Sequence, residues 1–402
     1  MAPPHVPTLI RRRLYTFAHR LATSFSDSRR QRFVRDMISG LVIANHVHLS
    51  KVARAIGTGD DDIHSAEKRL SLHLGSEHWD ANALADQLLA ESAAMVGADT
   101  LIPADLTDLA KYHAKKLEGL GTIHDGSDPD KRLAPGYAIF EAYVRVGGWQ
   151  LFPLVVEPLK TYAGAPTSEN AEILAHVKRV HQAAGGRGTW VLDRGFDRRN
   201  LFEPLVRAGV AFVARLVGDR HIRTTDGRTL AVKALADELR PSRWPVPWPR
   251  RGYTACCAVR LPEVCAEAFL LVVHWRWSNS VQPWLLLVSP PARRPGRTGP
   301  WFVRAYRRRW GVEDATRGVK QHFRLESFLV RSWRSIRRLL WLVAWAFFWL
   351  NLWGEEGFAR LRQALMNHPW RLPKEVTYLF DWIVQMIHEL LHPRPKIRLP
   401  AP

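Results

Sequence analysis

Over roughly the first hundred residues the apolar positions recur at helical spacing and never alternate as a strand would. Leu49–Gly57 places Leu49, Val52, Ala53 and Ile56 on one face and stops at a glycine. After the polar stretch TGDDD, Ser65–Leu74 predicts a second short, basic helix. Two short helices around a turn have the outline of a helix-turn-helix, although this turn exceeds the usual three or four residues and other small bundles share the outline. The texture changes at Thr100–Leu109, where an apolar lead-in runs into an acidic stretch. Tyr137–Val146 and Gln150–Val156 flank Gly147-Gly148 and predict a β-hairpin. Ser168 caps a predicted helix over Glu169–Ala184, Thr189–Leu192 is a short strand ending on Asp193, Asp197–Ala208 is helical and Val210–Val217 is another strand. From 218 to 300 the chain predicts strands (Tyr253–Leu261, Ala268–Trp277, Trp284–Val288) and no helix of note; helices return at Trp301. This sequence of elements is an α/β layer with a strand-rich continuation.

Leu339–Trp353 is the most apolar run. It is about fifteen residues long and contains Asn351, whereas a membrane span needs roughly twenty. Trp341, Trp345, Trp349 and Trp353 recur every fourth residue, so a buried helix against a sheet is expected, and no membrane partner. The N-terminus lacks the apolar core of a secretory signal. Cys256, Cys257 and Cys265 form no C-x-x-C pair, which points away from a disulfide framework or a zinc site and towards a reducing, cytoplasmic compartment; they read as small strand hydrophobes.

Charge adds what the pattern lacks. The 402 residues carry 58 Lys+Arg against 38 Asp+Glu, a formal net charge of +20. Such a surplus suits a polyanion. It is concentrated: Arg293–Arg338 holds 14 basic and three acidic residues, and the first 54 residues hold ten basic and two acidic. Two separate basic regions imply two phosphate-binding surfaces.

Against this background three acids stand at element ends: Asp105 at the first strand, Asp193 after TWVL, and Glu313 in a predicted helix. Carboxylates at the carboxyl ends of neighbouring strands, joined by one from a helix, can hold Mg²⁺, which takes oxygen ligands. Two such ions clamp the attacking and leaving oxygens of an in-line phosphoryl displacement. One helix is expected to run through Tyr306, Arg309, Glu313 and Lys320, and at 100° per residue these four fall within a wedge of about 60°. Val312, Ala315, Val319 and Phe323 lie on a separate apolar face. Asp108 is expected on the opposite strand face, Asp197 as a helix cap, and Asp314 and Glu326 away from the site; His113 and His124 read as loop residues.

At these residues the chain resembles the DDE transposases of bacterial insertion sequences, in the branch with the signature Y-x₂-R-x₃-E-x₆-K. Tyr306, Arg309, Glu313 and Lys320 match that spacing without a gap, Asp105-Leu106-Thr107 matches D-x-T, and Asp193-Arg194-Gly195-Phe196 matches D-R-G-F/Y. The resemblance covers roughly residues 45 to 350. It implies an α/β fold: a ribonuclease H-like catalytic core with a β-rich insertion between the second Asp and the Glu, an all-α N-terminal DNA-binding region and C-terminal helices. The expected division is 1–98 for DNA binding, 99–217 for the first part of the core, 218–300 for the insertion, 301–353 for core completion and 354–402 for a helical region suited to dimerisation. It implies Asp105, Asp193 and Glu313 as catalytic and metal-holding residues, two Mg²⁺ with Mn²⁺ as a substitute, and Tyr306, Arg309 and Lys320 as DNA contacts. Trp275 and Trp277 are candidates, by location and type, for holding an extruded base. The implied partners are double-stranded DNA, at element ends and target, and a second copy of the chain in the DNA complex. The expected location is the bacterial cytoplasm, at the nucleoid. The competing expectation is a transposase-derived DNA-binding protein without catalysis.

Overall fold

The computed structural model describes residues 5–57, 63–124, 130, 132–147, 150–164, 166–242, 252–264, 268–277, 282–354, 359, 363 and 379–391. The TGDDD turn, Gly148, Cys265, residues 1–4 and residues 392–402 lie outside them. Five helices open the chain: α1 (His5–Ala22), α2 (Ser28–Ala44), α3 (Leu49–Ala55), α4 (Ile63–Gly75) and α5 (Asn82–Ala94). Asp27 caps α2, its Oδ1 accepting from Arg29 N at 2.8 Å. Phe33, Met37, Ile38 and Leu41 bury its inner face.

The sheet follows. β1 (Leu101–Ala110), β2 (Gly121–His124), β3 (Leu133–Val146) and β4 (Gln150–Pro158) are joined antiparallel, with β1, β2 and β4 all pairing with β3. β5 (Thr189–Leu192) lies parallel to β1, and β6 (Phe212–Arg215) parallel to β5. The crossovers that parallel pairing requires are α6 (Glu169–Ala183), capped by Ser168 on Ala171 N, and α7 (Arg199–Arg207). His124 is therefore a strand residue, contrary to the loop expected for it. Its strand is only four residues long, too short for an alternating pattern to be read.

The strand-rich continuation contains β7 (His221–Thr224), β8 (Thr229–Ala231), α8 (Val232–Glu238), β9 (Tyr253–Arg260), β10 (Phe269–Trp275) and β11 (Trp284–Val288). α8 is a seven-residue helix where none of note was expected; Val232, Leu235 and Ala236 bury its one apolar stripe. β11 pairs antiparallel with β6 through Val288↔Val213 and Leu286↔Arg215. The continuation thus extends the same sheet, in the order β2-β3-β1-β5-β6-β11-β10-β9-β7-β8 with β4 beside β3.

Three helices complete the description up to residue 351: α9 (Gly299–Arg307), α10 (Trp310–His322) and α11 (Trp333–Asn351). A last one, α12 (Leu379–Leu391), is tied to the first by Arg11, which donates to the Leu391 carbonyl at 2.7 Å. α11 packs on β4 and α2, with Trp341, Trp345 and Trp349 buried along it and Trp353 just beyond. Asn351 is satisfied inside the protein: its Oδ1 accepts from Leu151 N at 3.0 Å and its Nδ2 donates to the Phe347 carbonyl at 3.0 Å. Among the described residues no helix is long and apolar enough to cross a membrane.

Candidate active site

β1 and β5 run side by side and in the same direction, so their carboxyl ends open at one edge. Asp105 sits in the middle of β1, just past the residues paired with β5. Asp193 follows β5 directly and caps the short turn Arg194–Phe196, its Oδ1 accepting from Gly195 N at 2.9 Å. Glu313 lies in the first turn of α10, which packs on β1.

Electrostatics bring these acids together. The Asp105 carboxyl is pushed up to about 8, first by burial and then by the neighbouring charges of Glu141 and Asp193, with Glu313 adding to the rise. Arg309 pulls it the other way. Burial is the larger cause, and the three other acids lie near enough to add to it. Arg309 is the cation within it: Nη2 lies 2.5 Å from Glu313 Oε1, and the side chain is 7% exposed. Its Nε and Nη1 are buried without a hydrogen-bond partner among the described residues.

Glu141 was not anticipated from the sequence. It stands directly across from Asp105 in the β1–β3 register, on the same sheet face. Its carboxylate is fully enclosed, accepting from Tyr143 Oη at 2.9 Å and from Thr316 Oγ1 of α10. Burial raises its pKa, while those two hydrogen bonds and nearby Lys320 act in the opposite direction. The available signal was a single acid in the otherwise apolar run YAIFEAYV.

The helix expected to carry all four signature residues is two helices. α9 ends at Arg307 and α10 begins at Trp310. Between them Arg308 N reaches Ala305 O and Arg309 N reaches Tyr306 O, three-residue spacings that tighten the turn. Arg145 Nη1 donates to the Arg308 carbonyl at 3.1 Å and holds the bend. The 100° arithmetic therefore applies from Trp310 onward, not from Tyr306. Tyr306 is buried, edge-on to Trp284 at 5.3 Å between centroids. Lys320 Nζ donates to the Asp108 carbonyl on β1 and lies 3.9 Å from Glu326. Asp314 pairs with Arg317 at 3.6 Å on the same helix.

Asp197 does not cap α7. Its buried carboxylate accepts from Val217 N at 2.7 Å and pairs with Arg220 at 2.7 Å, tying the turn after β5 to the exit of β6. Trp275 is 1% exposed at the end of β10, whereas Trp277, two residues on, is 55% exposed. Cys256 and Cys257 lie on β9, the first exposed and the second half-buried.

The donor set of Asp105, Asp193 and Glu313 is all carboxylate oxygen, the chemistry of hard divalent cations. Among the described residues no three His, Cys, Asp or Glu side chains are drawn together at ligand spacing, and Glu313 is turned onto Arg309. Arg309 Nε and Nη1 have no acceptor among the described residues, and Asp105 is held largely protonated near neutral pH by burial and its acidic neighbours. These residues fit divalent metal by type, with Glu313 released from Arg309.

Residues 166–349, under half of the chain, match the family model described as the transposase DDE domain. That span includes Asp193 and Glu313. No curated protein matches the chain. Among solved structures, a cryo-EM structure of the piggyBac transposase synaptic complex with hairpin DNA aligns at 13% identity and a TM-score of 0.44, covering 96% of this chain and 80% of that one.

Proposed function

We propose that this chain is a DDE transposase of an insertion sequence, which binds the terminal inverted repeats of its element, cleaves DNA by metal-dependent phosphodiester hydrolysis and joins the 3′-hydroxyl ends to target DNA. The observation that supports the reading is the placement of Asp105 on β1, Asp193 directly after the neighbouring parallel strand β5, and Glu313 on α10, which packs on β1, with Arg309 paired to Glu313. The domain match over residues 166–349 supports it. The antiparallel strands β1, β3 and β4, with the short β2 beside β3, followed by two parallel strands with helical crossovers, support a ribonuclease H-like core.

Asp105, Asp193 and Glu313 would hold the metal, Mg²⁺ with Mn²⁺ as a substitute. When bound, two such ions polarise the scissile phosphate and acidify the attacking water or 3′-hydroxyl. The remaining work falls to the protein. Arg309 offers two unpartnered N–H groups inside the recess, and a phosphate oxygen would satisfy them. Lys320 ties α10 to β1 and contributes positive charge beside the strand being cut. Tyr306 braces the bend against Trp284. Of the two insert tryptophans, Trp277 has the exposed ring that an extruded base needs. The basic N-terminal helices would hold the element end, and two ends would be brought together by two copies of the chain. The reaction would take place at the bacterial nucleoid.

The test incubates the protein and Mg²⁺ with duplexes carrying its own element's terminal repeats. The parent nicks at the repeat ends. Asp105→Asn, Asp193→Asn and Glu313→Gln each bind the duplex and do not nick it. A parent that binds without nicking identifies a transposase-derived DNA-binding protein instead, and three variants that nick like the parent would show that the site is elsewhere.

A further inference from the structure

Beyond the carboxylate cluster, β1 runs out into a groove of about 950 Å³ between residues 111–117 and 326–331. Its two walls are fastened together. Lys111 Nζ donates to the carbonyls of Glu326 at 2.5 Å and Phe328 at 2.8 Å, and lies 3.4 Å over the Phe328 ring. At the far end Glu118 N donates to the Arg331 carbonyl at 2.9 Å, and Trp333 N donates to the Glu118 carboxylate at 2.9 Å. The groove is thus a built feature and not a gap between loose loops.

Its charge is one-sided. Besides Lys111, the lining carries Lys115, Lys116 and Arg331 and one acid, Glu326, which faces Lys320 at 3.9 Å. Lys115, Lys116 and Arg331 are exposed. The apolar surface is equally unusual: Tyr112 is 56% exposed and Leu329 74% exposed. Cations interleaved with an exposed aromatic ring suit a strand whose phosphates are bound and whose bases are open for stacking. A closed duplex offers the phosphates but not the base faces. The groove also adjoins the cluster. Lys320, at its near end, is seven residues along α10 from Glu313, roughly 10 Å of helix axis. A strand leaving the cluster along β1 would meet Lys115, Lys116 and Arg331 within its next few phosphates.

We infer that this groove binds unpaired DNA next to the scissile phosphate, with Lys115, Lys116 and Arg331 on the backbone and Tyr112 stacked on a base. This rests on the proposed transposase reading, and its test separates the two. The probes are a terminal-repeat duplex with a short unpaired tail and the same duplex fully paired, each labelled and followed by fluorescence anisotropy in chelator across a salt series. The triple variant Lys115→Gln, Lys116→Gln, Arg331→Gln is expected to lower the salt slope on the tailed probe by about 2, at roughly 0.7 per phosphate contact on single strands. Binding of the fully paired probe stays as in the parent. Tyr112→Ala weakens the tailed probe alone by roughly five-fold to a hundred-fold, the usual range for one base stacked on an aromatic ring. The charge-preserving triple Lys115→Arg, Lys116→Arg, Arg331→Lys keeps the parent slope. An unchanged slope on the tailed probe overturns the inference, and so does an equal loss on both probes, which would make the groove a duplex surface. If the parent binds neither probe, the transposase reading falls and this inference with it.

Discussion

Replacing Asp105 by Asn should stabilise the metal-free protein, although it removes a residue assigned to the reaction. In the fold its carboxyl is held at about 8 against a reference value of 3.8. Between those two values the folded state keeps a proton that the unfolded state has lost, so stability falls as pH rises, by about 1.4 kcal/mol per unit, and levels off above pH 8. At pH 7 the full shift corresponds to about 4 kcal/mol. The carboxylate keeps some contact with solvent, and half that figure, about 2 kcal/mol, is the working expectation. Asn removes the term while preserving the oxygen that accepts from Leu106 N at 3.1 Å. For a chain of this length, about 2 kcal/mol is a rise in Tm of roughly 2–3 °C. The assay is thermal unfolding by circular dichroism in chelator, from pH 5 to pH 8, for parent and Asp105→Asn. The variant should melt higher, and its advantage should widen with pH. Added Mg²⁺ should raise the parent Tm and leave the variant nearly unmoved, because only the parent gains binding free energy. A variant that melts lower than the parent in chelator at pH 7, or an advantage that does not grow with pH, would refute the clustering of these acids.

Three further perturbations test the frame around the site. Glu141→Gln removes the largest neighbouring charge acting on Asp105, so the upper end of the parent's pH dependence should move below pH 8, read by the same melts. Asp197→Ala removes one of the two carboxylates on the half-buried Arg220, leaving Glu263, and the acceptor of Val217 N; it should cost about 2 kcal/mol in chemical denaturation, with the Mg²⁺ response of the remaining folded protein intact. Gly136→Ala would set a Cβ 2.5 Å from the Leu109 carbonyl on the strand that carries Asp105; a loss of about 2 kcal/mol is expected in urea unfolding, and a neutral outcome would contradict the β1–β3 register.

Part of this arrangement is legible in the residues and part is not, for physical reasons. Asp105 and Asp193 follow apolar strand runs separated by a predicted hairpin and one helix, and a helical crossover onto the same sheet can bring two such strands side by side in parallel. The tryptophan stripe of α11 is equally plain, since four large rings at one spacing need one buried face. Glu141 is different. Its place beside Asp105 depends on the register between β1 and β3, set by pairing across some thirty residues, and no spacing within either strand carries it. β2, β7 and β8 are three or four residues long, below the length at which alternation can be told from chance. The bend at Arg308–Arg309 has no glycine or proline at the turn itself; a guanidinium from β3, far away in sequence, stabilises it.

That bend bears on how the third carboxylate is delivered. Glu313 lies 120 residues beyond Asp193, on the far side of six strands, so its position cannot be inherited from the strand ends. α10 is instead fixed at three points by polar contacts: Arg145 on the Arg308 carbonyl before it, Thr316 on the Glu141 carboxylate in its middle, and Lys320 on the Asp108 carbonyl near its end. Two of these partners lie on β3 and one on β1, the pair of strands that carries Asp105 and Glu141. The helix axis is therefore registered to Asp105 before any cation or DNA arrives. The Glu313 side chain is paired, among the described residues, with Arg309. If Glu313 passed to a metal and Arg309 to a phosphate, as proposed, the exchange would satisfy the Arg309 N–H groups that have no acceptor among the described residues. On this reasoning Arg309→Lys, which keeps the charge but not the forked donors, should impair strand cleavage more than duplex binding. Equal losses in the two assays would place Arg309 in general DNA attraction instead.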